Sequence, residues 1–139
     1  MTLGVADLAG SRRFYEDGLG WKRGNDNPDV AFYQMPGTIF ALWSRKQLAD
    51  DARLTDGGAA FSAMALAYNA RSRDEVDAVL AEAEAAGATI LKPAEDAFWG
   101  GYSGYFADPD GHPWEVAWNP FWRLDDEGRV TMKADTTRS

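Results

Sequence analysis

His112 and Glu115 stand three residues apart in the stretch FADPDGHPWEVAWNP, and His112 is the only histidine among 139 residues. An imidazole and a carboxylate are the raw material of a divalent-metal site or of proton transfer. Whether they act together depends on the backbone that carries them. Asp108-Pro109-Asp110-Gly111 reads as a hairpin turn running into an alternating strand. Residues an odd number apart on a strand point to opposite faces. The pair therefore separates: His112, at the exit of the turn, reads as a structural or surface residue, and Glu115 as a lone acid. Other chemistries find no residues. The absence of cysteine excludes disulfides, thiolate nucleophiles and cysteine-ligated zinc, and fits a cytoplasmic location. No serine has a histidine partner or a GxSxG elbow, and no glycine loop could cradle a phosphate. A net charge of -8 opposes a nucleic-acid partner.

The elements that must position Glu115 fall into two similar halves of one domain. In the first, TLGVADL opens as a strand, and a helix follows over about 9–17, with Asp7 as N-cap and Gly18 as its stop. GWKRG, DVAFYQM and TIFALWS read as further strands. RKQLADDARLTDG reads as a polar connection with at most one helical turn, and Asp50, Asp51, Glu95 and Asp96 read as surface charges. In the second half, FSAMALAYN is a strand. Ser72 and Glu75 have the capping-box spacing before an apolar stripe of Val76, Val79, Leu80 and Ala83, which Gly87 ends. ATILKP, GYSGYFAD and PWEVAW complete the strands. Each half reads β-α-β-β-β. Placing Gly37 on Gly111 sets Ala41 on Glu115, Phe32 on Phe106 and Leu3 on Leu66, as expected of a duplicated module. No run reaches the length of a membrane span.

The segments GVADLAGSRRFYEDGLGW and GYFADPDGHPWEVAWNP resemble the vicinal-oxygen-chelate superfamily of glyoxalases, bleomycin-resistance proteins and extradiol dioxygenases. The resemblance covers roughly 2–120. It implies an α+β fold: two tandem β-α-β-β-β modules, about 1–44 and 59–118, whose curled mixed sheets form a cavity with helices on the outer face. A tail over 121–139 would pack through Phe121, Trp122 and Leu124, then fray. It also implies a homodimer. In metal-dependent members the ligands lie on the first and last strands of each module. Here the last-strand positions are Ala41 and Glu115. The first-strand position of module two falls at Ala63, and its counterpart would precede Met1. With Glu115 as the single candidate ligand, no resident metal or other cofactor is expected.

Strand alternation then sorts the two faces of the sheet. If Glu115 faces the cavity, Trp114, Val116, Phe40, Leu42, Phe32 and Phe106 face the helices. Mostly small residues remain opposite them, with Tyr33, Trp43, Tyr105 and Glu115 among them. A floor of alanines implies unfilled volume, unless the tail, the EDAFWGGY loop or a second subunit fills it. Phe98, Trp99 and Tyr102 beside Gly100 and Gly101 read as a lid. The expected ligand contacts are Tyr33, Trp43, Trp99, Tyr102, Tyr105 and Glu115, around a small aromatic or amphipathic molecule. The alternative is a lyase, isomerase or dioxygenase. In that reading Glu115 is the base, or one ligand of a metal completed by residues outside this chain.

Overall fold

The computed structural model describes residues 1–56 and 62–132. Strand β1 (Thr2–Val5) leads into α1 (Leu8–Arg12), which widens into a single π-type turn over Arg13–Gly18. Asp7 caps α1 by accepting from the Gly10 amide at 3.1 Å. β2 (Val30–Met35) and β3 (Thr38–Ser44) form a tight hairpin, and α2 (Arg45–Ala52) follows directly. The second module contains β4 (Met64–Asn69), α3 (Arg73–Ala85), β5 (Thr89–Asp96), β6 (Tyr102–Ala107) and β7 (Pro113–Trp118). A small hairpin, β8 (Trp122–Leu124) and β9 (Val130–Met132), ends the described chain.

The main strands make one seven-stranded sheet in the order β2-β3-β1-β4-β7-β6-β5. Each module pairs its first strand with its last in parallel, β1 with β3 and β4 with β7. The modules join where β1 meets β4 antiparallel. This is the expected mixed α+β architecture, with one strand missing. The segment GWKRG makes only an isolated bridge between Arg23 and Tyr33, so β2 is an edge strand.

Helices α1 and α3 cover one face of the sheet. Under α3, Val76 and Leu80 pack on Val116; under α1, Leu8 and Tyr15 pack on Leu42 and Ala31. Ser72 caps α3 at the Glu75 amide (3.1 Å) while Glu75 accepts from the Arg71 amide (3.4 Å), so the capping signal operates. The stripe of Val76 and Leu80 then sets which side of α3 is buried.

Three expectations are corrected. The stretch read as a polar connection is helical, and α2 lies on the opposite, concave face, not outside with its fellows. Ser44 caps it at the Gln47 amide, and Leu48, Ala49 and Ala52 pack against Ala65 and Tyr105. The small residues of the sheet make room for it. A Cβ on Gly4 would stand 2.8 Å from the Arg45 Cα, so glycine lets the start of α2 lie against β1.

The second correction is a register. Phe32 pairs with Ala41, and Tyr105 pairs with Glu115. The first pair is nine residues apart and the second ten, so the second hairpin carries one extra residue. One residue reverses every side chain of a strand. Phe32 therefore corresponds to Tyr105, not Phe106, and faces the concavity, while Ala31 and Tyr33 turn beneath α1.

The third concerns the tail, which folds back as β8–β9. The Gln34 amide donates to the Val130 carbonyl and accepts from the Met132 amide, stitching the hairpin to β2. Trp122 packs edge-on against Phe32 at 5.2 Å, but Phe121 is 59% exposed. The expected module boundary at 59 and the fraying of the last residues fall outside the described chain.

Candidate ligand-binding cavity

The concave face retains an open cavity of about 360 Å³ beside α2. That lies within the range of small-molecule sites, which run from roughly 300 to 1,000 Å³. Glu115 reaches it because β7 buries Val116 under α3, and alternation sends the next side chain the other way. Its strand neighbours on this face are Ala67 of β4 and Tyr105 of β6. Across the module junction, Thr2 sits beside Ala41 in the same relation. Ala63, by contrast, precedes β4 with a left-handed backbone (φ 61°), and its carbonyl accepts from the Gly4 amide.

The Glu115 carboxylate accepts no hydrogen bond and joins no ion pair among the described residues. Its proton affinity is pushed up to about 7, first by burial and then by the Asp51 charge, against the opposing pull of Lys92 and the N-terminal ammonium. Asp51 itself is well held. It accepts from the Lys92 ammonium at 2.9 Å and from the Tyr105 hydroxyl at 2.7 Å. Lys92 is only 7% exposed, and its Nζ lies 5.5 Å from the Tyr105 ring centre. Burial, with Glu115 and Asp51 nearby, drives the Tyr105 hydroxyl well above its ordinary value, so it remains a donor.

Four of the residues expected at the ligand line the cavity: Trp43, Trp99, Tyr105 and Glu115. Two do not. Tyr33 lies under α1, where its hydroxyl donates to Glu16 at 2.8 Å, and burial with this bond pushes its proton affinity up to about 12. Tyr102 sits on the α3 side, donating to Asp77 at 2.8 Å beneath the Arg73 guanidinium. The β2–β3 register turns Tyr33 away from the cavity, and the place of Tyr102 at the start of β6 fixes it opposite Trp118. Trp99 is pinned in place: a Cβ on Gly101 would collide with its ring and with the Trp118 carbonyl. Phe98 is 84% exposed at the mouth. His112 is exposed outside β7, its amide donating to Asp108.

Sequence reasoning missed Asp51, Phe32 and Trp122 as wall residues. Ser44 followed by Leu48, Ala49 and Ala52 at helical spacing was the available signal for α2, and Asp51 enters the site with that helix.

Two similar α+β modules side by side, the first one strand short of the second, with a concave ligand-sized cavity, define the class of domain. The chain belongs to the glyoxalase/bleomycin resistance protein/dioxygenase superfamily, whose family model matches residues 1–116. A glyoxalase-related enzyme from Fulvimarina pelagi is 42% identical, with 96% of each chain covered and a TM-score of 0.52. A Mn(II)-bound glyoxalase from Novosphingobium aromaticivorans is 25% identical, matching 96% of this chain but 40% of its own, with a TM-score of 0.57. A structure described as an NAD-dependent benzaldehyde dehydrogenase from Legionella pneumophila shares the fold at 20% identity, with 84% of this chain and 95% of that one covered and a TM-score of 0.68. No curated protein matches significantly.

The superfamily includes metal enzymes, so the donor set matters. Thr2, Ala41, Ala67 and Glu115 meet on the concave face with one carboxylate among them. Asp51 is committed to Lys92 and Tyr105. Among the described residues, no three His, Cys, Asp or Glu side chains gather. Such a set does not fit a resident zinc, iron or manganese ion, which calls for three or more donors.

Proposed function

We propose that this domain binds a small aromatic or amphipathic molecule without a resident metal, using Glu115 as its acidic anchor. The observation that carries this reading is an unpartnered carboxylate facing a cavity walled by Phe32, Trp43, Trp99 and Trp122. A half-buried carboxylate with no donor on it is costly unless a ligand meets it. A ligand carrying an N–H or O–H would supply that donor, while its flat body lies on the indoles. Titrating intrinsic tryptophan fluorescence with a broad panel of aromatic metabolites and drugs tests it. Saturable changes that vanish in Trp43→Ala support the reading, and silence across the panel sinks it. Native mass spectrometry of the purified protein would report co-purified small molecules, metal content and whether the expected homodimer forms.

A second reading has its own support. A carboxylate titrating near 7 is poised for proton abstraction at physiological pH, so Glu115 could serve an isomerase or lyase as general base. Turnover of a panel member that Glu115→Gln abolishes, with binding retained, would favour catalysis.

A further inference from the structure

The charged side chains on the cavity wall share one sign. Among the described residues lining it, the carboxyl side chains are Asp29, Asp51 and Glu115, with no lysine, arginine or histidine. The Met1 ammonium also reaches the wall, where it donates to the Ile39 carbonyl at 3.1 Å. Lys92, behind Asp51, keeps its ammonium 2.9 Å from Asp51 and 3.8 Å from Glu95. Glu115 is met by Tyr105 from β6, Ala67 from β4, Asp51 from α2 and the start of β1, and none of them donates to its carboxylate.

Resting on the small-molecule reading above, we propose that the cavity selects a compact aromatic amine, bound as its ammonium, with the Glu115 carboxylate as counter-ion. An anionic ligand would add negative charge to a wall that already carries three acids, in a medium where such repulsion is poorly screened. A neutral ligand would leave Glu115 with no cation in contact, since the Lys92 ammonium is held by Asp51 and the Met1 ammonium by the Ile39 carbonyl. An ammonium brings three donors and forms the stronger, charge-assisted bonds. The indole faces of Trp43 and Trp122 would add cation–π attraction and apolar contact. Binding and proton release are then linked. Only ionised Glu115 can pair with the cation, whereas an alkylammonium (ordinary pKa about 10) stays charged throughout the neutral range. Affinity therefore rises with pH through neutrality, and a proton leaves the site as ligand enters.

Calorimetry with phenethylamine, 2-phenylethanol and phenylacetate at pH 6 and pH 8 tests this. Phenethylamine should bind most tightly, about tenfold more so at pH 8 than at pH 6. Its heat at pH 7 should vary with the ionisation enthalpy of the buffer. Glu115→Gln, nearly isosteric, should weaken the amine at least tenfold and flatten the pH profile; should that variant not fold, the wild-type comparison between the two pH values decides alone. Equal or tighter binding of the alcohol or the acid at pH 8, or unaltered amine affinity in Glu115→Gln, overturns the proposal. If all three probes fail while other, uncharged aromatics quench tryptophan fluorescence, the charge class is wrong and the cavity reading survives. Silence from every compound overturns both.

Discussion

Tyr105 and Glu115 sit directly opposite one another on β6 and β7, yet the tyrosine hydroxyl turns to Asp51, 2.7 Å away. Asp51 thus takes the hydroxyl of Glu115's strand partner and ties α2 to the sheet, leaving Glu115 open to the cavity. Tyr105→Phe removes one of two hydrogen bonds to a largely buried carboxylate. We expect it to cost about 1–3 kcal/mol, read as a lower denaturant midpoint. Ligand affinity should fall less than in Glu115→Gln.

Glu115 also makes stability depend on pH with a definite sign. Its proton affinity is raised on folding, from an ordinary 4.5 to about 7. The folded protein therefore holds the proton more tightly than the unfolded chain. This contribution is complete below about pH 4.5 and is lost as pH rises through 7. Glu115→Gln should accordingly be more stable than the parent at pH 8, by up to about 3 kcal/mol. The advantage should shrink towards pH 4.5. Denaturant unfolding of both proteins at several pH values would show the curves converging on the acid side.

Gly101→Ala should dislodge Trp99, because no space exists between that Cα and the indole. Overpacking of this kind costs roughly 1–3 kcal/mol. A shift in tryptophan emission together with weaker ligand response would show that the loop forms part of the wall. An unchanged spectrum would show that Trp99 does not rest there.

Leu48→Ala should enlarge the cavity and loosen α2, since Leu48 is buried between that helix and the sheet. Truncating a buried leucine typically costs about 2–5 kcal/mol. Thermal melting would report the loss, and bulkier aromatic ligands should then be accepted better than by the parent.

Tyr33→Phe and Tyr102→Phe should leave ligand binding as it is, because both hydroxyls serve the helix side, at Glu16 and Asp77. The Tyr33 change should lower stability by about 1 kcal/mol, the usual net value of one hydrogen bond. A fluorescence titration of each against Trp43→Ala would separate the two faces of the sheet.

Local patterns were enough for much of this. The caps at Asp7 and Ser72, the stripe of Val76 and Leu80, and the alternation of Trp114, Glu115 and Val116 each depend on neighbours a few residues away. They determined the order of the two modules, the helix that covers the second, and the face on which Glu115 emerges. What covers a face is a long-range matter, and there only the tertiary structure decided. The pairing of Phe32 with Ala41 set Phe32 on the cavity side and Tyr33 beneath α1, and because the second hairpin is one residue longer, laying one module on the other reverses those faces. The charged stretch at 45–52 became a helix only by burying Leu48, Ala49 and Ala52 on an alanine surface more than ten residues away in sequence, and it carried Asp51 to the acid it now opposes. Propensity over eight residues is too weak to fix such a segment; packing against the sheet is what holds it.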